Sequence, residues 1–498
     1  MNHETAHDTM VVIVGTGFSG LALATRLKRK GITDFVILER ADGVGGTWRD
    51  NTYPGAACDI QSHLYSYSFR PNPRWSQVYA QQPEILCYLQ DTARDEGLLE
   101  HIRFDTELLS ATWSDDNQRW HIVTSSGAYK AKILVTASGH LSDPKSPDIA
   151  GLEQFGGARF HSAKWDHDVE LKGKRVGVIG TGASAIQVVP ELVGQVENLI
   201  VFQRSAPYII PRRGYKYSEI EKETFRKCPE VAQALRDELF WGNESRFPQR
   251  RRVTSFIEEI RRTAIDHLHG QVSDPQLRAQ LTPDYEIGCK RILISNDYYP
   301  ALGSDNATLE TSGIREIVAD GAITADGRMI PLDALVLCSG FEASDLPIAY
   351  RITGRNDMLL ADRWSTGGQA FACAAVHGFP NMFVMLGPNT GLGAGSIIYM
   401  VEAQANYILE AVEFLASHHA VADVTEEAET AYVRSIEARS NGTVWTTGGC
   451  ASWYVDARSG RLTTLWPDFM SEFRAENGTF VPDVYRVSVA DSATSVGL

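Results

Sequence analysis

The strongest constraint on this chain is a pattern written twice. Residues 10–40 read MVVIVGTGFSGLALATRLKRKGITDFVILER, and residues 173–207 read GKRVGVIGTGASAIQVVPELVGQVENLIVFQRSAP. Each passes from an apolar run through closely spaced small residues (Gly15, Gly17, Gly20; Gly180, Gly182, Ala185) into an apolar-faced helical segment and a second apolar run. Strand, Gly-rich turn, helix and strand make a βαβ unit. The glycines permit a tight bend and close approach of backbone to a pyrophosphate, which sits at a helix N-terminus. Two such units predict an α/β chain of two Rossmann-like dinucleotide-binding domains. Phe18 and Ser19 fall in the first turn; Thr181, Ala183 and Ser184 fall in the second.

The units end differently. Glu39 closes the first, where an acid bonds ribose hydroxyls. Arg204 lies as far beyond Ala185 as Glu39 lies beyond Gly20. A carboxylate there would repel a 2′-phosphate, whereas Arg204 and the Ser205 hydroxyl can hold one through charge-assisted hydrogen bonds. The second site is therefore expected to favour NADPH over NADH. A chain holding both kinds of site usually binds FAD first and NADPH second, so a flavoprotein is expected. KILVTASGH at 132–140 and DALVLCSGF at 333–341 fit this, each an apolar strand running into a small-residue turn where the chain crosses between domains.

Bulk properties narrow the partners. The 498 residues can hold two to four domains with sizeable cores. A hydrophobic content of 43% with 22% charged residues is globular, and a net charge of -15 argues against nucleic acid. The opening MNHETAHDTM lacks the features of a secretory signal, and runs such as VVIVG, NLIVF and ALVLC are too short to span a bilayer, so a cytoplasmic protein is expected. The cysteines (Cys58, Cys87, Cys228, Cys289, Cys338, Cys373, Cys450) are scattered and never form CxxC, and are expected to be free thiols with no metal site. The absence of a dithiol speaks against a disulfide reductase. The C-terminal VYRVSVADSATSVGL is not the amphipathic end of a membrane quinone reductase. Oxygen is left as the favoured electron acceptor.

Nothing in the periodicity of residues 155–168, FGGARFHSAKWDHD, indicates helix or strand. The stretch resembles the FxGxxxHxxxW(P/D) pattern of type I Baeyer-Villiger monooxygenases at Phe155, Gly157, His161, Trp165 and Asp166. GGTWRDNTYPGAACD is similar to that family's GGxWxxxxYPGxxxD at Gly45, Gly46, Trp48, Tyr53, Pro54, Gly55 and Asp59. CKRILISNDYYPAL at 289–302 and FPNMFVMLGPNTGLG at 379–393 extend the resemblance along nearly the whole chain. It implies FAD and NADP(H) as cofactors, a C4a-peroxyflavin attacking a ketone carbonyl, and an ester or lactone product.

It also implies site residues. Arg291 matches the family's active-site arginine, and an always-protonated guanidinium suits a peroxide anion. Asp59 matches the acid that orients it, and a buried carboxylate calls for such a partner. Lys290 corresponds to a residue reaching the NADP 2′-phosphate, opposite in direction to Arg291 if the segment is extended. Thr47, Trp48 and Tyr65 carry over as FAD contacts, Trp445 as a candidate pocket residue, and Phe155, Gly157, His161 and Trp165 as a shaped hinge. Ala394-Gly395 stands where many relatives of this length have His-Asn, so no relative's substrate carries over. An S- or N-oxygenating flavin monooxygenase is the alternative, and a flavin-binding sensor with slow NADPH oxidase activity is a third. Substrate, ketone or sulfide, and oligomeric state stay open.

The expected layout gives the FAD domain residues 1–145 and 345–498, and the NADP domain 150–208 and 288–340. A helical insertion takes 212–285, its apolar positions at helical spacing. The Arg triplet at 250–252 reads as a solvated helix end.

Overall fold

The computed structural model describes residues 6–489. Strand β1 (His7–Val14), helix α1 (Phe18–Arg29) and strand β2 (Phe35–Leu38) form the first βαβ unit. Val11, Val12 and Ile13 are wholly buried because β1 is flanked by parallel strands, β2 on one side and Gly127–Thr136 on the other. Arg26, Lys28 and Arg29 close α1, where positive charge suits the helix dipole. Gly31, at φ +77, reverses the chain. The short strand Ile102–Arg103 beside β2, an antiparallel wing (Arg119–Thr124, Leu108–Ser114) and two late strands, Ile352–Thr353 and Met382–Val384, complete an eight-stranded sheet. Helix Ile397–Ser417 packs on α1, and its Val401, Ala405 and Ile408 are buried.

The second unit is β3 (Arg175–Ile179), α2 (Ala185–Val193) and β4 (Asn198–Phe202). It builds a five-stranded parallel sheet with Ala307–Glu310 beyond β4, and Ala334–Leu337 and Ala158–His161 beyond β3. One sheet thus takes strands from residues 7–136 and 352–384, the other from 158–202 and 307–337. The chain passes from the first to the second and back. Helices Glu219–Lys227, Pro229–Glu244 and Thr254–Gln271 lie between the halves of the second sheet. Ser218 and Glu221 form a reciprocal capping box at the start of the first of these.

Two sequence expectations need correction. Residues 158–161 are a strand, with His161 in register with Leu337. Four residues are too few to show a period, and the partner strand's backbone fixes them. The Arg triplet is not a solvated end throughout. Arg251 and Arg252 are exposed, but Arg250 is 7% exposed, turned inward to donate to the Ala394 carbonyl at 3.2 Å. Among the described residues no helix is long and apolar enough to cross a membrane. Of the C-terminal segment, Tyr485–Val489 is a strand and the rest lies outside the described residues.

Candidate active site

Both Gly-rich turns have the same shape. Gly15 sits at φ +109 and Gly180 at φ +112. A Cβ would fall 2.6 Å from the Ala137 carbonyl oxygen at the first and 2.5 Å from the Cys338 carbonyl oxygen at the second. Those carbonyls belong to the strand-to-turn stretches 132–140 and 333–341. Helices α1 and α2 begin at Gly17 and Ser184 with no side-chain cap and no acid in the first turn, which leaves their N–H groups to an anion. At the first turn Phe18 and Ser19 are buried, and Gly46, at φ +52, runs so close that a Cβ there would meet the Gly17 backbone at 3.1 Å. At the second, Gly182 and Ala183 are exposed and Thr181 donates to the Ser205 carbonyl at 3.1 Å.

Glu39 reaches back from the end of β2 to its own turn. Its carboxylate accepts from the Thr16 N–H at 3.0 Å and hydroxyl at 2.6 Å, and pairs with Arg49 at 2.9 Å. Trp48 donates to the Tyr65 hydroxyl at 3.0 Å, and Tyr65 meets Phe18 edge-on at 5.2 Å, so the aromatic residues gather at the first turn. Thr47 donates to the Leu141 carbonyl at 3.4 Å. At the second site the Lys290 ammonium donates to the Ser205 hydroxyl at 2.8 Å. Burial and then the nearby Arg204 charge hold Lys290 below its ordinary range. Two cations and a hydroxyl thus converge where a doubly charged phosphate would be held.

The segment 53–59 joins the domains. Tyr53 donates to the Gln187 side chain on α2 at 2.9 Å, and Gln187 donates to the Ala57 carbonyl at 3.0 Å. Gly55, at φ +80, lies so close to α2 that a Cβ would fall 2.7 Å from the Gln187 carbonyl oxygen. Just beyond, Asp59 takes two hydrogen bonds from Arg291, at 2.7 Å from Nε and 2.8 Å from Nη2. The two side chains are 26% and 33% exposed. Burial pushes the Asp59 carboxyl up, but the Arg291 guanidinium outweighs it and holds the acid below the usual carboxylate range. Asp59 in turn raises Arg291 further. The bidentate geometry fixes the guanidinium plane and leaves Nη1 outside the pair with Asp59.

Cys289 and Cys450 are disulfide-bonded, with Cα atoms 6.2 Å apart. This corrects the expectation of seven free thiols; Cys58, Cys87, Cys228, Cys338 and Cys373 are free. A pairing across 161 residues leaves no trace in local spacing. It brings residues 449–456, GCASWYVD, beside Arg291. Trp445 is 3% exposed and packs with Cys289, Tyr208 and Tyr454, its ring filling the space a Cβ at Gly393 would need. Tyr454 and Arg250 arrive in the same region; no motif in the sequence marks Tyr454, and Arg250 reads there only as part of a solvated helix end.

The hinge candidates lie on the second domain. Phe155 packs against the cluster of Ile179, Phe202 and Leu335, and Trp165 meets Phe160 edge-on at 4.9 Å. A Cβ at Gly157 would fall 2.4 Å from the Asp333 carbonyl oxygen. His161 Nδ1 accepts from the Ala163 N–H at 3.0 Å, Nε2 has no partner, and burial pulls its pKa down to about 4. It is neutral at ordinary pH and shares no hydrogen bond with the Asp59–Arg291 pair.

The residues present fit two nucleotides, a closed cradle at the first turn and an open one with a phosphate clamp at the second. Residues 8–239 match the flavin-binding monooxygenase-like family. The chain is 45% identical to a Baeyer-Villiger monooxygenase of Streptomyces coelicolor over 95% of this chain and 92% of that one. It is 43% identical to a Baeyer-Villiger monooxygenase of Pseudomonas aeruginosa over 98% and 93%. Among solved structures, cyclohexanone monooxygenase from Rhodococcus sp. Phi1 bound to NADP+ superposes with a TM-score of 0.86 at 28% identity, covering 98% of this chain and all of that one. Oxidized steroid monooxygenase bound to NADP does so with a TM-score of 0.84 at 30% identity, covering 97% of this chain. With its paired nucleotide turns and full-length kinship, the chain belongs to the Baeyer-Villiger monooxygenases, flavoenzymes that work with FAD and NADPH.

Proposed function

We propose that this enzyme converts a ketone, with NADPH and dioxygen, into an ester or lactone, and that Arg291 and Asp59 carry the oxygenation. The observation behind this assignment is the bidentate Asp59–Arg291 pair at the domain junction, beside the free thiol of Cys58 and the disulfide of Cys289. When bound, the flavin supplies the activation of dioxygen, using electrons from NADPH. Arg291 contributes a permanent positive charge with Nη1 outside the pair, set by Asp59 at a fixed angle; it stabilises the ketone oxygen as negative charge builds there. Lys290, Ser205 and Arg204 hold the 2′-phosphate and so select NADPH. Tyr53 and Gln187 keep the two domains in register at this point. Phe155, Gly157, His161 and Trp165 shape the edge of the NADP domain as a stiff joint.

The test is oxygen-dependent NADPH consumption over cyclohexanone, methyl hexyl ketone and acetophenone, with products identified by mass. The wild type should give ester or lactone from at least one. Arg291→Ala should still oxidise NADPH while ester formation falls by roughly 10²- to 10³-fold, the loss typical of a removed oxyanion partner. Normal ester yield from Arg291→Ala would overturn the role of that residue. Sulfoxide from thioanisole with no ketone turnover would mark the enzyme as an S-oxygenating relative instead.

A further inference from the structure

The Cys289–Cys450 disulfide holds the segment GCASWYVD against the stretch of chain that carries Arg291. Tyr454 of that segment is 2% exposed and packs with Tyr208, Ile257, Cys289 and Trp445. Its backbone is pinned, its carbonyl accepting from the Thr463 N–H at 3.3 Å and the Thr464 hydroxyl at 3.0 Å. Its own hydroxyl is buried against the Arg291 guanidinium, which can only donate to it, and its proton has no acceptor. A buried, unmatched hydroxyl is unfavourable for folding alone, so it calls for an acceptor that arrives from outside the chain. The charged groups facing it are Arg291, Asp59 and Arg250. Burial raises its pKa above that of an ordinary tyrosine and outweighs the two guanidiniums, so it is a protonated donor at neutral pH.

Arg250 has the Ala394 carbonyl for a partner, and Arg291 spends two of its N–H groups on Asp59. Tyr454 is thus the neutral group beside the pair whose O–H proton has no acceptor within the chain. We propose that Tyr454 is a further catalytic residue, whose hydroxyl donates a hydrogen bond to the carbonyl oxygen of the ketone and strengthens that bond as the oxygen gains negative charge. The proton stays on the phenol throughout, and Tyr454 forms and breaks no covalent bond. The assignment rests on the ketone reaction proposed above. It makes the carbonyl group itself the recognised element, with Arg291 and Tyr454 approaching one oxygen from two segments that the disulfide ties together.

The experiment uses FAD- and NADP-loaded enzyme, wild type and Tyr454→Phe, with cyclohexanone, methyl hexyl ketone and acetophenone, each isotopically labelled at the carbonyl carbon. Difference infrared spectra read the carbonyl stretch of the ketone bound to this oxidised enzyme, and mass analysis reads ester formation after NADPH and dioxygen are added. In Tyr454→Phe the stretch should move to higher frequency and ester formation should fall about 10²-fold, with FAD retained. An unchanged stretch or unchanged ester yield overturns the proposal while leaving the ketone reaction standing. Loss of FAD in Tyr454→Phe also overturns it, because the hydroxyl would then be structural. Absence of ester from the wild type with all three ketones removes the underlying reaction, and the role of Tyr454 with it.

Discussion

The two nucleotide units share their first glycine and part at the third small residue. Gly15 and Gly180 have nearly the same φ and press on equivalent carbonyls, those of Ala137 and Cys338. At the third position a Cβ on Gly20 would fall 1.9 Å from the Gly15 carbonyl oxygen, whereas Ala185 carries its Cβ wholly buried. So α1 sits closer on its turn than α2 does. The surroundings diverge the same way. Phe18, Ser19 and Glu39 are buried around the first turn, while Gly182, Ala183 and Arg204 are exposed around the second. One backbone pattern thus occurs in a closed and an open setting, and the difference lies in how tightly side chains close over it; on the reading proposed above, the first suits a cofactor that stays and the second one that comes and goes.

The sharpest break of that comparison is a methyl group at each first glycine. Gly15→Ala should yield protein without FAD, seen by loss of the flavin absorbance. Gly180→Ala should keep FAD and lose its reduction by NADPH. If both lose FAD, the units are not independent. The phosphate clamp should respond more gently: Arg204→Ala removes a charge-assisted contact of about 1.5–3 kcal/mol, which raises KM for NADPH by roughly 10- to 100-fold and leaves KM for NADH little changed. Equal effects on both coenzymes would place Arg204 outside the 2′-phosphate site. At the third position Gly20→Ala should prevent FAD loading, while Ala185→Gly should cost only about 0.5–1 kcal/mol in unfolding experiments, with NADPH affinity kept. The smallest effect concerns pH. His161 has a folded pKa lowered to about 4, so between about 6.5 and that value the unfolded chain binds a proton the folded one refuses. Stability should fall as pH drops through that window, and His161→Gln should flatten the slope of Tm against pH there. An unchanged slope would assign the acid sensitivity to other groups, such as His63, also lowered to about 4 by burial and Arg236.

What was legible in the sequence followed from local rules. Gly15, Gly20 and Glu39 announce a turn and a strand end because the backbone conformation and the ribose impose residue types at fixed spacing. Asp59 and Arg291 stand 232 residues apart, and no spacing argument joins them; family signatures brought both forward, and the fold sets them in contact. Where neither local rule nor signature reached, the sequence was silent or misleading. Strand 158–161 is decided by its partner across the sheet. Arg250 looks like its two exposed neighbours and differs only in where the short helix 247–250 points it. Cys289 and Cys450 carry no mark of each other, since their pairing depends on two returning crossings between domains.

That disulfide also bears on how the molecule can move. Cys289 lies on the chain leading into the second half of the NADP domain, and Cys450 on the part that has returned to the FAD side. A covalent link between two bodies acts as a pivot: points near it can turn but hardly translate. Rotation of the NADP domain would therefore sweep the parts of it far from the bond through a wide arc, while Lys290 and Arg291, the two residues next to Cys289, barely leave their place. Reduction of the bond would free both ends at once. A thiol reagent in the assay buffer thus becomes a variable to control when coupling between NADPH use and product is measured.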